Sequence, residues 1–166
     1  MLLAGILICL SSAGICQDNT PKKSFERKQK ITTMIANGTF EVKMTPQSED
    51  ENVGDPLIGR LAMSKQFSGD LAGTSKGQML GSQSEEVKGS GGYVAMERFT
   101  GTLNGKKGSF ILQHTGTMQG GNFDLNISVV PDSGSGELTG ISGKMKIIID
   151  GAKHSYEFEY SLPVAK

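Results

Sequence analysis

Residues 92–118 read GYVAMERFTGTLNGKKGSFILQHTGTM and contain most of the features that determine the fold. Apolar residues recur at every second position on both sides of Asn104 and Gly105, a pair typical of a tight hairpin turn. This alternation predicts two antiparallel strands with one face toward a core. Glu97 and His114 occupy apolar positions of the pattern, where an unpaired charge is costly. The hairpin therefore predicts a sheet with a polar site on its buried face.

The same alternation continues in both directions from this hairpin, from Thr39 to Leu162. Short links and the lack of a helical pattern favour an all-β fold, an antiparallel up-and-down β-barrel of about eight strands. A two-sheet sandwich is the alternative. The predicted strands are 39–45, 59–71, 73–81, 92–103, 109–118, 122–130, 136–150 with a bend at 140–143, and 154–162.

The composition of the chain fits a β-domain, and its charge balance argues against nucleic acid as a partner. The chain has 166 residues, with 23 glycines, no tryptophan and 6% aromatic residues, which suits a single turn-rich β-domain. Lysines and arginines number 17, as do aspartates and glutamates, so the formal net charge is zero. The charge balance gives no electrostatic reason to expect nucleic acid as a partner.

The first sixteen residues, MLLAGILICLSSAGIC, are uncharged and mostly apolar. They are too short for a stable membrane span, and they are typical of the apolar region of a secretory signal peptide. This signal peptide would direct the protein to the periplasm or the extracellular space and would be removed by cleavage after Cys16. The alternative is a lipid anchor on Cys16, although Ile15 breaks the usual pattern. The predicted organisation is a signal peptide at 1–16, a charged linker at 17–36 and one β-barrel domain at 37–166.

Five blocks of sequence occur in order and resemble one known family: GTFEVKMTPQ, KQFSGDLAGTSKGQML, the stretch 92–118, VVPDSGSGELTGISGKM and HSYEFEYSL. This family of small, mostly bacterial proteins is described as a domain of unknown function and has the allene oxide cyclase-like barrel fold. The resemblance covers about residues 36–163 and implies an eight-stranded barrel without a settled activity. Plant allene oxide cyclases and dirigent proteins share the wider fold and enclose apolar ligands, which is an analogy of fold alone.

Three ionisable residues in the apolar register are the candidate site. Glu97 and His114 are candidate catalytic acid–base residues, and Lys65 is a candidate ligand-binding residue or counter-charge. Tyr156 and Tyr160 are candidate ligand-binding residues, because a buried tyrosine hydroxyl needs a partner. For each of these residues the structural alternative is a satisfied core position or an ion pair.

Both cysteines, Cys9 and Cys16, lie in the signal segment, and the two histidines are far apart in sequence. We therefore expect no metal site, no disulfide in the exported domain and no cofactor. Three functions stay open: binding of a small apolar or amphipathic ligand in the lumen, an isomerase or cyclase using Glu97, and a structural or stress-related module with a filled core. A homo-oligomer is also open.

Overall fold

The computed structural model describes residues 32–47 and 55–163 of the chain, and almost all of its regular structure is β-strand. Within these ranges there are eight long strands and one two-residue strand. Their bounds are β1 (Thr33–Pro46), β2 (Gly59–Gly69), β3 (Leu71–Gln83), β4 (Gly91–Leu103), β5 (Lys106–Gln119), β6 (Asn122–Val129), β7 (Ser135–Gly136), β8 (Ser142–Asp150) and β9 (Lys153–Ser161). No helix that could cross a bilayer occurs in these ranges.

The long strands close into a ring. Each pairs in antiparallel orientation with the next long strand along the chain, and β1 also pairs with β9. The circular order is β1-β2-β3-β4-β5-β6-β8-β9, while β7 pairs beside β5. The prediction of an eight-stranded antiparallel up-and-down barrel is therefore confirmed.

Side chains alternate between the inside and the outside of this ring. In β4, Ala95, Glu97 and Phe99 are buried, whereas the intervening Val94 and Met96 are exposed. The turn at residues 104–105 joins β4 to β5, and both residues have positive φ, of 48° and 79°. Asparagine and glycine tolerate this left-handed conformation better than other residues, which explains why the sequence signal for the hairpin was reliable.

Two element boundaries differ from those expected. The first strand begins at Thr33 rather than at residue 39, so residues 33–36 of the expected linker pair with β9, and Ala36 is fully buried. The expected strand at 136–150 is interrupted, because residues 137–141 leave the sheet between β7 and β8. The predicted signal segment at 1–16 and linker residues 17–31 lie outside the described residues.

The two ends of the barrel differ. The closed end carries the turns at residues 69–70 and 104–105, and the open end carries those at 120–121 and 151–152. Ten inward side chains near the closed end are at most 3% exposed, and two of them, Leu138 and Ile141, come from the segment between β7 and β8. Val129 is 8% exposed, and Met34 and Leu162 are partly buried beside them. The side chains that fill this end are Ala36, Phe67, Leu71, Phe99, Leu103, Phe110, Leu138, Ile141, Phe158 and Tyr160.

Candidate functional site

Three of the five residues selected from the sequence meet inside the barrel. Lys65 of β2, Glu97 of β4 and His114 of β5 are 5%, 1% and 2% exposed. Ser75 of β3 is opposite Lys65 in the strand register and is also buried. Because these four residues project inward from four neighbouring strands, they form one polar cluster on the barrel wall. We call them the Glu97 cluster.

Glu97 is the centre of the cluster and accepts every hydrogen bond within it. Lys65 Nζ donates to Glu97 Oε1 over 2.9 Å, and Ser75 Oγ donates to Oε2 over 3.0 Å. His114 Nε2 lies 3.2 Å from Oε1. Since an ionised carboxylate can only accept, this nitrogen must carry the proton. Every buried side-chain nitrogen or oxygen of the described residues has a partner, as native interiors require.

The partners of Glu97 keep it ionised despite its burial. Desolvation alone would raise the pKa of Glu97, but the hydrogen bond from His114 and the charge of Lys65 together lower that pKa below its usual value. Lys65 is stabilised further by aromatic rings, since its ammonium lies 5.0 Å from the ring centre of Phe40 and 5.9 Å from that of Phe67. The cluster thus contains a paired carboxylate that has no proton to donate.

Tyr156 and Tyr160 lie away from the Glu97 cluster, on the closed-end side of β9, and their hydroxyls already have partners. The Tyr156 hydroxyl accepts a hydrogen bond from the Leu71 amide over 2.8 Å. The Tyr160 hydroxyl accepts one from Asn104 Nδ2 over 2.9 Å. Both side chains are at most 3% exposed. Their geometry therefore supports a role in joining β9 to the turns of the closed end.

Most inward side chains on the other side of the Glu97 cluster are only partly buried, although Met63 and Ala95, next to the cluster, are 7% and 4% exposed. This open half of the barrel has an apolar inner surface, in contrast to the filled closed end. Nearest the mouth, the inward Met44 and Ile149 are 37% and 61% exposed. The half-buried inward side chains are Val42, Leu61, Met79, Tyr93, Met118, Leu125, Ile147 and His154. The arrangement is an apolar cup whose floor is the Glu97 cluster.

Two aromatic residues of this cup were not selected from the sequence. Tyr93 occupies the same inward register as Glu97, and its ring stacks on Phe123 with the ring centres 6.4 Å apart. Burial raises the pKa of Tyr93, and the negative charge of Glu97 raises that pKa further. Its position two residues before Ala95 was the available signal, because it continues the alternation that contains Glu97.

His154 is the other titratable side chain of the cup. Its ring lies 5.3 Å from that of Phe40, the residue on which the Lys65 ammonium rests. His154 lies near the start of β9 and pairs with the inward Phe40 of β1, which places it in the inward register. The hydroxyl of Tyr93 and the imidazole of His154 thus lie at the mouth of the cup.

A separate groove of about 510 Å³ lies on the outside of the barrel near the open end. Most of its side chains come from the outer faces of β3, β4, β5 and β6, including Leu80, Val94 and Thr115, and its lining also includes Tyr93 of the cup. As far as the described residues go, its lining includes no member of the Glu97 cluster. The groove and the cluster are therefore two different features, on opposite sides of the wall.

Comparison with known proteins agrees with this architecture. A protein of unknown function from Shewanella oneidensis, from the DUF3224 family, has a solved structure that is similar with a TM-score of 0.72. Its sequence is 43% identical, and the similarity covers 82% of this chain and 100% of that one. No curated protein matches significantly. The model of the same family, described as a protein of unknown function, matches residues 36–160, and the chain therefore belongs to the DUF3224 family.

Proposed function

We propose that the protein binds a small apolar or amphipathic molecule in the cup at the open half of its barrel. The observation that supports this proposal is the contrast between the two halves, since most inward side chains are buried at the closed end and most are partly exposed near the mouth. An apolar concave surface with a few polar groups is the usual form of a small-molecule site. A structural barrel would gain stability by filling both halves equally.

The polar groups of the cup define how such a molecule would be held. Its apolar body would contact the methionine and leucine side chains of the walls, including Met79 and Leu125. Its polar end would bond the Tyr93 hydroxyl or the His154 ring at the mouth. Lys65, Glu97 and His114 would form the floor, where their mutual hydrogen bonds fix the strands that carry the walls.

Isomerase or cyclase chemistry with Glu97 and His114 has weaker support than binding. An acid–base residue must exchange a proton with the substrate, and Glu97 has a lowered pKa and bonds to three neighbours. A substrate would have to displace Lys65 or His114 to reach it. We therefore propose binding as the primary function.

Native mass spectrometry of the gently purified protein, beside its denatured mass, tests the proposal. We expect a reproducible extra mass that is lost on denaturation. Met79→Trp should reduce it, because the larger side chain fills the cup. The matched control is Met96→Trp, since Met96 is 47% exposed on the outer face of β4. A bare polypeptide mass in native spectra, or equal loss in both variants, would instead favour a structural module with a filled core.

Export is part of the same proposal, and its support is the uncharged apolar segment at residues 1–16. The denatured mass of protein recovered from an exporting host measures it directly. Cleavage after Cys16 leaves Gln17 as the first residue, whereas a lipid anchor adds acyl mass to Cys16. A full-length mass in the cytoplasmic fraction would contradict export.

A further inference from the structure

In the part of the wall that the structure describes, the pairing between β6 and β8 stops early in the open half. These two strands pair through Ile127 with Met145 and through Ser128 with Lys144. The same register would next bring Leu125 opposite Ile147 and Phe123 opposite Ile149, yet the described residues form neither pair. By contrast, the pairing of β3 with β4 runs the whole length of β3. A strand edge of β8 is therefore left open.

The hairpin that follows β8 determines which backbone groups this edge presents. Gly151 and Ala152 form the turn, so Asp150 and Lys153 are the last pair of the ladder. In a two-residue hairpin the last pair exchanges backbone hydrogen bonds. Along an antiparallel ladder, hydrogen-bonded pairs then alternate with pairs whose peptide groups point away from the partner strand. The peptide groups of Ile148 consequently face β9. Those of Ile147 and Ile149 face the edge that β6 has left.

The side chains beside this edge are apolar and exposed. Ile148 is 53% exposed on the outer face, and Ile149 is 61% exposed on the inner face. Phe123, on the facing part of β6, is 49% exposed. An exposed apolar strand edge is a template for pairing with another strand, and proteins usually blunt such edges or cover them. This edge is thus suited to receive an extended strand.

We propose that the edge of β8 pairs with the same edge of a second copy of the chain, in an antiparallel dimer with two-fold symmetry. The segment is self-complementary, since it reads Lys146-Ile-Ile-Ile-Asp150. With Ile148 on the symmetry axis, Ile147 faces Ile149 of the partner subunit, and these residues carry the free peptide groups. Lys146 then faces Asp150 of the partner subunit on the outer face, so opposite charges meet at both ends.

Charge complementarity favours a second copy over an unrelated peptide, because Lys146 and Asp150 of each copy face the opposite charge of the other. Lys146 also lies 3.3 Å from Glu157 of its own chain, an exposed ion pair that Asp150 of the partner subunit would extend. A shift by two residues would bring Asp150 opposite Lys144 of the partner subunit, but the edge at Lys144 is already occupied, because Lys144 pairs with Ser128 of β6. Because the strip is only five residues long, it buries less than the roughly 1,200 Å² of a standard interface. We therefore expect a reversible dimer that forms as the protein concentration rises.

The first test measures the mass in solution by light scattering and sedimentation from micromolar to near-millimolar concentration. The wild type should shift from monomer to dimer, and Ile148→Lys should remain monomeric because two ammonium groups would meet on the axis. Val94→Lys is the matched control, since Val94 is 52% exposed on a strand that is paired on both sides. A monomeric wild type, or a dimer that Ile148→Lys leaves intact, overturns the proposal.

The second test reverses the charges of Lys146 and Asp150, one at a time. Lys146→Glu alone and Asp150→Lys alone should each weaken the dimer, because like charges then face each other at both ends. An equal mixture of the two variants should form a heterodimer in native mass spectra, since both acidic side chains of the first variant would then face lysines of the second. Equal amounts of homodimers and heterodimers in that mixture would place the interface elsewhere. Circular dichroism of each variant checks that it is folded.

Discussion

At the scale of single residues, Glu97 has the most consequences for stability. Its carboxylate is completely withdrawn from water and holds Lys65, Ser75 and His114 together across four strands. Burying charges costs several kcal/mol each before pairing, so such clusters are strongly destabilised when one member is removed. The alternation of the sequence placed Lys65, Glu97 and His114 on one face, but it could not show that Glu97 bonds to both of the others.

Glu97→Gln should lower the free energy of unfolding by about 3 kcal/mol, because Lys65 loses its counter-charge while it stays buried. Chemical denaturation measures this change. Glu159→Gln is the control, since Glu159 is exposed on the outer face of β9 and should change stability by less than about 0.5 kcal/mol. The double variant Lys65→Met with Glu97→Gln should recover part of the loss. Simple addition of the two single effects would contradict a coupled pair.

The pH dependence of stability should also reveal Glu97. Its pKa in the folded protein lies below the ordinary value of 4.5, so its ionised form stabilises the fold above that pH. This contribution is lost as the pH falls below 4.5 and passes through the lowered pKa. The difference in unfolding free energy between wild type and Glu97→Gln should therefore shrink with acidification. A difference that stays constant down to the acid limit of folding would contradict the assignment.

At the scale of strands, glycines decide how closely the inner surfaces approach. A Cβ on Gly38 of β1 would meet the backbone oxygen of Ser68 and the hydroxyl of Tyr156. For a Cβ on Gly116 of β5, the three nearest atoms all belong to the ring of Tyr93. The first neighbours are fixed by the β1–β2 ladder and by the bond to Leu71, whereas Tyr93 lies at the half-open mouth. Two glycines of similar register thus have different structural roles.

Gly38→Ala should therefore destabilise the barrel by about 3 kcal/mol through overpacking. Gly116→Ala should cost less than about 1 kcal/mol, because the Tyr93 ring can turn away. Urea denaturation compares the two variants. In the second variant, the NMR signals of the Phe123 ring should shift as the stacking with Tyr93 is lost. Equal destabilisation by both substitutions would show that the mouth is as rigid as the closed end.

At the scale of the whole molecule, closure of the ring depends on the start of β1. Residues Thr33 to Ala36 pair with the end of β9, and this ladder continues to Phe40 opposite His154. Closure covers the edge of β1 from Thr33 to Phe40, whereas among the described residues the rest of β1 and most of the seam between β6 and β8 have no ladder on that side. The strand pairing of the barrel is therefore more complete at the closed end than at the open end.

A chain that starts at residue 32 should retain the stability of the barrel, whereas one that starts at residue 37 should lose about 3 kcal/mol. The shorter chain lacks Met34, the buried Ala36 and the hydrogen bonds of residues 33–36 to β9, each worth about 1 kcal/mol. It also exposes the edge of β9 and should aggregate more readily. Equal denaturation midpoints for the two chains would place the true domain boundary at residue 37.

Much of the fold was predictable from the chain, because strand alternation and turn chemistry are local. Every second residue of β4 and β5 faces inward whatever the partner strand is, and Asn104 with Gly105 favours the turn by its own backbone preferences. The start of β1 was missed because its apolar residues Met34 and Ala36 follow a run of charges. Its strand conformation depends on pairing with β9, which is distant in sequence.

The all-β class, the hairpins and the inward direction of Lys65, Glu97 and His114 follow from the chain alone. The bonds of Glu97 to Lys65 and His114, and the place of Tyr156 and Tyr160 at the closed end, depend on the tertiary structure. The tertiary structure also determines which half of the barrel is filled, which half is partly open and where neighbouring strands are not paired. The physical reason is that inward direction is a local property of a strand, whereas contact and burial depend on which strands become neighbours when the ring closes.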